Sequence, residues 1–300
     1  MSKNVVCFGE VLWDVLPTGE KIGGAPLNVA LRLNSLNVDS TIISKVGNDQ
    51  YGERLIEYLS ENGQNHIIQR DKEHETGVVD VKIDQAGNAS YTIKFPAAWD
   101  HIDYTQTLKK KVSNADYFIY GSLVNRNDAS RGTLFKLLEV ANYKVLDVNL
   151  RKTHYNLDTL IDLMSFADFI KLNREELEEV CNYLEEGKAS SVTEMLKLVS
   201  DHTQIDHICV TQGACGVTLF HKGEFYHNSG FLVKVKDTVG AGDSFLAGYI
   251  AQLIEGKRPN MALDFACALA GLVASKSGAN SAIAEEEINT LLWVDSFKHK

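Results

Sequence analysis

The sequence predicts an α/β protein with a largely parallel central sheet, and three observations predict it. Short apolar runs rich in β-branched residues recur along the chain, at Val5 to Phe8, Ala115 to Tyr120, Val145 to Val148, Phe169 to Leu172 and His207 to Thr211. Runs with no polar alternation are what strands buried on both faces require. Amphipathic helical patterns lie between them. Tyr51 to Asn62 places Leu55, Ile56 and Leu59 on one face and stops before Gly63; Thr133 to Ala141 and Glu175 to Leu184 repeat the spacing. Strand and helix in regular alternation is the signature of a layered α/β fold.

One stretch departs from this rhythm. Val79, Val81 and Ile83 alternate with Asp80, Lys82 and Asp84, and Tyr91, Ile93 and Phe95 alternate with Ser90, Thr92 and Lys94. This predicts a two-stranded hairpin turning at Ala86-Gly87-Asn88. A lone hairpin with one apolar face is not stable in water. It must cover a cleft as a lid, pair with a second subunit, or extend the main sheet as an edge. From Gly242 the chain turns helical through Phe245, Leu246, Tyr249, Ile250 and Leu253, and a second helix opens at Pro259 and ends before Gly278.

The 300 residues, 44% of them hydrophobic and 23% charged, suffice for one large core. A formal net charge of -10 argues against nucleic acid or an anionic membrane as partner. No apolar run approaches the roughly 20 residues needed to span a bilayer. The first residues lack a signal-peptide pattern. Five scattered cysteines without a Cys-x-x-Cys pair indicate neither a disulfide framework nor a zinc site, so a reducing cytoplasm is the expected location. The sequence holds no Gly-x-Ser-x-Gly elbow and no Gly-x-x-x-x-Gly-Lys-Ser/Thr loop. No Gly-x-Gly-x-x-Gly follows the first strand, which disfavours an NAD-dependent redox enzyme.

Chemistry concentrates in a few segments. In Asp237-Thr238-Val239-Gly240-Ala241-Gly242-Asp243-Ser244, two glycines stand just ahead of a helix, where unpaired N–H groups and the helix dipole attract anions. Glycine permits close approach of a phosphate, and Asp243 beside it can take the proton of an attacking hydroxyl. An ordinary capping turn is the alternative. In Gly23-Gly24-Ala25-Pro26-Leu27-Asn28, paired glycines precede a helix whose exposed first turn carries Asn28, a side chain that both donates and accepts. Asp14, just after the first strand, lies where open α/β sheets expose ligand-binding groups. Asp147-Val148-Asn149-Leu150-Arg151 presents three polar groups at alternate positions as a strand runs out, all to one side. Here the alternative is a surface ion pair between Arg151 and Asp147. Asn173 and Glu176 share a helical face where a carboxylate could hold magnesium through water. Thr211-Gln212-Gly213-Ala214-Cys215-Gly216 reads equally as a plain hairpin turn or a nucleotide-facing loop.

Taken in order along nearly the whole chain, these six elements resemble the ribokinase/PfkB-type carbohydrate kinases, and Asp-x-Asn-x-Arg resembles the version in fructokinases and 2-keto-3-deoxygluconate kinases more than that in ribokinases. The resemblance implies a three-layer α/β/α kinase domain over residues 1–300, with a small β lid formed mainly by about 10–22 and 76–100 and often used for dimerisation. It implies an ATP-dependent kinase acting on a small sugar, fructose giving fructose 6-phosphate first. The alternatives are 2-keto-3-deoxygluconate, ribose or a nucleoside as acceptor, or a non-catalytic sugar or nucleotide sensor on the same fold. Asp243 would be the base and Gly240, Ala241 and Gly242 the anion hole. Asp14, Gly23, Gly24, Asn28 and Arg151 would contact the sugar. Asn173, Glu176, Thr211, Gly213, Gly216 and Asn280 would serve the nucleotide, Glu176 reaching Mg2+ through water. Potassium is implied near Asp237 and Val239.

Overall fold

The computed structural model describes residues 3–83, 89–185, 187 and 190–296. The expected turn at Ala86-Gly87-Asn88 lies outside them. The strands are Asn4–Phe8 (β1), Leu12–Leu16 (β2), Gly19–Gly23 (β3), Asp39–Gly47 (β4), Asn65–Asp71 (β5), Gly77–Ile83 (β6), Ala89–Ile93 (β7), Tyr117–Gly121 (β8), Tyr143–Asp147 (β9), Phe169–Asn173 (β10), His207–Thr211 (β11), Val217–His221 (β12) and Glu224–Asn228 (β13). The helices are Ala25–Ser35 (α1), Gln50–Glu61 (α2), Gln106–Ser113 (α3), Asp128–Leu138 (α4), Leu157–Ser165 (α5), Arg174–Leu184 (α6), Val192–Thr203 (α7), Ala241–Ile254 (α8), Pro259–Ala274 (α9) and Glu285–Ser296 (α10).

Nine strands form the main sheet in the order β13-β12-β11-β10-β9-β8-β1-β4-β5. All pairs from β5 to β11 are parallel, and only β12 runs against the rest. The apolar runs are buried on both faces because each feeds two cores. Val6 and Phe8 of β1, with Phe118 and Tyr120 of β8, pack against α3 to α7 through residues such as Leu134, Leu163 and Val199. Val5, Cys7, Tyr117 and Ile119 point the other way, onto α1, α2, α8 and α9 through Leu27, Leu55, Phe245 and Ala266. Alternation along a strand therefore produces three layers, helix on sheet on helix. Helix α4 starts five residues before the pattern at Thr133 because Asn127 caps it, its side chain accepting from the Ala129 amide at 2.9 Å.

The departing hairpin belongs to a second sheet, ordered β3-β2-β6-β7, and is not an edge of the first. Leu12, Val79 and Val81 share its small apolar cluster with Leu16 and Ile93. Past the hairpin, Ala97 and Trp99 join the large core, and Trp99 and Asp100 are fully buried. A buried Trp indole and its neighbours stabilise by far more when packed there than on a thin two-layer appendage.

Candidate active site

The open end of the main sheet collects the chemistry. Parallel strands all deliver their carboxyl ends to one edge. Gly9 and Glu10 follow β1, Ser122 follows β8, Val148 to Arg151 follow β9, and Arg174 follows β10. Gly24 caps α1 at φ 112°, and a Cβ there would lie 2.4 Å from the Glu10 carbonyl oxygen. Only glycine fits. Gly23 lies close to Asp14, where an added Cβ would fall 2.5 Å from Oδ2 and push that side chain aside. At the opposite motif Gly240 caps α8 in the left-handed region at φ 75°, and a Cβ would meet Ala279 Cβ at 2.3 Å. The Gly242 Cα faces the Lys171 ammonium, which would lie 3.2 Å from an added Cβ.

The two glycine motifs, more than 200 residues apart, converge on one hydrogen bond. Asn28 Nδ2 donates to Asp243 Oδ2 at 2.8 Å, and Asn28 Oδ1 accepts from Asn280 Nδ2 at 3.1 Å. Asn28 is not in an exposed first turn; it is buried between these partners, and both its donor and its acceptor are in use. Asn280, expected to serve the nucleotide, reaches Asn28. Arg32, absent from the sequence reading, locks the assembly: its guanidinium donates to Ser244 Oγ at 3.1 Å and to the Ala279 and Ser281 carbonyls at 3.1 and 2.9 Å. Buried at 3% exposure, it ties α1 to α8 and to the 279–281 loop.

A second cluster lies against α8. The Asp147–Arg151 ion pair does not form. Asp147 instead accepts from Lys171 Nζ at 2.9 Å, the two lying side by side in the β9–β10 register. Strand β9 ends at Asp147, and Asn149 takes φ 40°, so the alternate-position rule fails beyond it. Exposed Arg151 nonetheless sits close enough to act electrostatically on Glu10, Asp14 and Asp243. Asn173 and Glu176 form a capping box on α6. Glu176 Oε2 accepts from the Asn173 amide and Oε1 from the Leu150 amide, each at 2.8 Å, so this carboxylate anchors the loop that carries Arg151. Asp237 is likewise occupied: Oδ1 accepts from Val239 N at 3.1 Å and Oδ2 from Gly278 N at 2.9 Å, joining two loops. Thr211, Gly213 and Gly216 lie in the β11–β12 hairpin, which closes on itself through Gln212 N to Gly216 O at 2.8 Å.

Burial and the Asp147 charge push the Asp243 carboxyl up to about 6, with Lys171, the Asn28 hydrogen bond and Arg151 opposing them. Burial pushes Glu10 up to about 7; its Oε1 caps Ala25 N at 3.2 Å while Oε2 is buried without a partner. Asp14 is raised by burial, against Arg151 and Lys21. Burial works against the Lys171 charge, but Asp147, Glu176 and Asp243 outweigh it and hold its pKa above the ordinary value. Lys171 left one signal in the sequence, a lysine inside the apolar run Phe169 to Leu172, where a charge needs a partner. The arrangement sets a carboxylate that titrates near neutrality beside a helix N-terminus and a fixed cation, which suits proton removal from a hydroxyl facing an anion.

Comparison with known proteins fits this geometry. A putative sugar kinase of Pyrococcus horikoshii is 30% identical over 95% of this chain and 94% of its own. The fructokinase of Klebsiella pneumoniae is 28% identical over 99% of both. Among solved structures, a fructokinase double mutant from Vibrio cholerae with fructose, ADP and potassium ion bound superposes with a TM-score of 0.82 at 25% identity, covering 97% of this chain and 98% of that one. The Pyrococcus horikoshii sugar kinase in complex with ATP gives 0.80 at 26% identity, covering 96% and 99%. The model of the pfkB family carbohydrate kinases matches residues 2–286, and the chain belongs to that family.

Proposed function

We propose that this carbohydrate kinase transfers the γ-phosphate of ATP to a hydroxyl of fructose, giving fructose 6-phosphate. The observation that carries the reading is the Asn28–Asp243 hydrogen bond, which joins the acceptor-side motif to the phosphate-side motif. Fructose is favoured because the fructokinase of Klebsiella pneumoniae matches end to end and the Vibrio cholerae relative holds fructose and ADP.

In this mechanism Asp14, Gly23, Gly24, Asn28 and Arg151 hold the sugar, and Asn28 fixes one Asp243 oxygen so that the other meets the reacting hydroxyl. Asp243 takes its proton as the oxygen attacks. The amides around Gly240, Ala241 and Gly242 at the start of α8 receive the transferring phosphoryl group, and Lys171 beside Gly242 adds positive charge where negative charge gathers. Thr211, Gly213 and Gly216 border the nucleotide. Among the described residues no three His, Cys, Asp or Glu side chains converge. A magnesium ion would therefore be held chiefly by nucleotide phosphates, with Glu176 and buried, unpaired Asp147 Oδ2 reaching it through water. Such an ion supplies charge neutralisation of the phosphates. Potassium would lie between the loops that Asp237 joins, near Val239. A homodimer through the smaller sheet and a cytoplasmic setting complete the reading; among the described residues no helix is long and apolar enough to cross a membrane.

The test is a coupled ATP-consumption assay over fructose, ribose, 2-keto-3-deoxygluconate and nucleosides, with wild type and Asp243→Asn. Fructose should give the highest kcat/KM, and Asp243→Asn should lose at least about a thousandfold in kcat while still binding fructose. A sugar-free rate equal to the rate with every sugar overturns the kinase assignment, and unchanged turnover in the variant overturns the base.

A further inference from the structure

Helix α1 sends two polar side chains toward the reacting centre from one face, Asn28 and, four residues on, Arg32. Asn28 holds the base itself, through its 2.8 Å bond to Asp243 Oδ2. Arg32 binds the frame around that base: Nε donates to Ser244 Oγ at 3.1 Å, and Nη2 donates to the Ala279 and Ser281 carbonyls at 3.1 and 2.9 Å. All three partners are neutral, and burial lowers the Arg32 pKa with no carboxylate acting against it. A buried charge without a counter-ion weakens a fold. What the guanidinium supplies there, and an ammonium or a neutral side chain does not, is three bonds directed from one rigid plane to two separate segments.

The loop on the far side of those bonds is pinned at every residue. Gly278 N donates to Asp237 Oδ2 at 2.9 Å, the Ala279 and Ser281 carbonyls accept from Arg32, and Asn280 Nδ2 donates to Asn28 Oδ1 at 3.1 Å. Ala279 also presses on the cap of α8, where a Cβ on Gly240 would fall 2.3 Å from its own. The loop therefore meets the phosphate-side cap directly and the base through α1. With Asn28 alone, that second connection would be a single side-chain bond. With Arg32, two positions of one rigid helix hold the loop and two neighbouring residues of α8, Asp243 and Ser244, so a displacement of the loop moves α1 and the base together.

We propose that Arg32 is a positioning residue for phosphoryl transfer, coupling the 278–281 loop to the Asn28–Asp243 pair so that nucleotide on the loop side and sugar on the α1 side each tighten the binding of the other. The inference rests on the kinase reading above for the identity of the two ligands, and on the hydrogen bonds of Arg32 for the residue.

Two measurements on wild type, Arg32→Lys and Arg32→Met test it, with the non-hydrolysable analogue AMP-PNP as nucleotide. In titration calorimetry, AMP-PNP should lower the wild-type Kd for fructose, and fructose that for AMP-PNP, by one common factor of about 5–150. Either substitution should bring that factor close to one while leaving the Kd of each ligand alone little changed. In hydrogen exchange without sugar, AMP-PNP should slow the amides of residues 28–33 in the wild type and not in the variants, while slowing those at the start of α8 in all three. Arg32→Lys keeps the charge and a donor, so it decides the matter if Arg32→Met does not fold. A brace that serves stability alone would lower the melting temperature and leave both readouts as they are. Unchanged coupling together with unchanged exchange at 28–33 in folded Arg32→Lys overturns the proposal, and so does a wild type in which neither ligand affects the other. Fructose that fails to bind the wild type counts against the acceptor proposed above; the exchange measurement, which needs no sugar, then decides for Arg32 or against it.

Discussion

Asp243 is held in a conflicted environment, and the conflict is legible in its pKa. Burial and Asp147 push the carboxyl up to about 6, while Lys171 and Asn28 restrain it. A base must be ionised, so kcat/KM should fall tenfold per pH unit below about 6 and level off above it, as a pH-rate profile would record. The sign for stability is opposite. A carboxyl whose folded pKa lies above its unfolded value binds more protons in the native state between about 4 and 6, so folding stability declines as pH rises through that window. Asp243→Asn should therefore melt at the same temperature as wild type or a few degrees higher at pH 7, by about 1 kcal/mol, while losing activity. Lys171→Met removes the cation between Asp147 and Asp243. It should destabilise by about 3–5 kcal/mol, because a buried Asp147 is left unpaired, and should move the acidic limb of the profile upward. Adding Asp147→Asn should recover much of the stability but not the phosphate-side charge, so KM for ATP should stay high.

At the level of elements, the site depends on two helix starts brought face to face. Helices α1 and α8 pack through their apolar faces, and Arg32 and Asn28 on α1 reach Ser244 and Asp243 in the first turn of α8. The glycines have different duties there. Gly240→Ala forces a Cβ into Ala279 and a side chain into the left-handed region, so it should displace the loop that carries Asn280. The expected cost is about 1–3 kcal/mol with a hundredfold or greater loss of kcat. Gly242→Ala meets only the Lys171 ammonium, so the fold should tolerate it while KM for ATP rises; denaturation midpoints and initial rates separate the two. The motifs themselves stood out in the sequence because paired glycines before a helix are rarely needed for capping alone. Arg32 did not, and Lys171 showed only as a charge inside an apolar run, because their importance comes from partners 24 to 249 positions away.

For the whole molecule, the proposed dimer runs through the smaller sheet. Leu12, Val79, Val81 and Ile93 form one apolar cluster on it, and Tyr91, opposite Val81 in the register, is 61% exposed. Leu12, Val79 and Val81 are already buried within the chain, so what the sheet leaves exposed is the Tyr91 ring, on which the same sheet of a second copy would pack. Sedimentation should show a dimer, and Tyr91→Glu should shift it to monomer with the melting temperature of the larger core little changed. A monomeric wild type at micromolar concentration would refute dimerisation through this sheet.

The sequence by itself determined the layered α/β class, the presence of helices just after the Gly23-Gly24 and Gly240-Ala241-Gly242 segments, and the carboxylate in the first turn of the second, because periodicity, glycine and proline act locally and leave their mark within a few residues. The tertiary structure alone decided which polar groups meet. Asp147 turned from Arg151 to Lys171 because parallel register set them side by side in a buried layer, where an unpaired charge is untenable. Glu176 became a capping residue for the Arg151 loop, and Asn28 left the surface for Asp243, since both outcomes depend on how helices and strands pack and not on the residues that flank them.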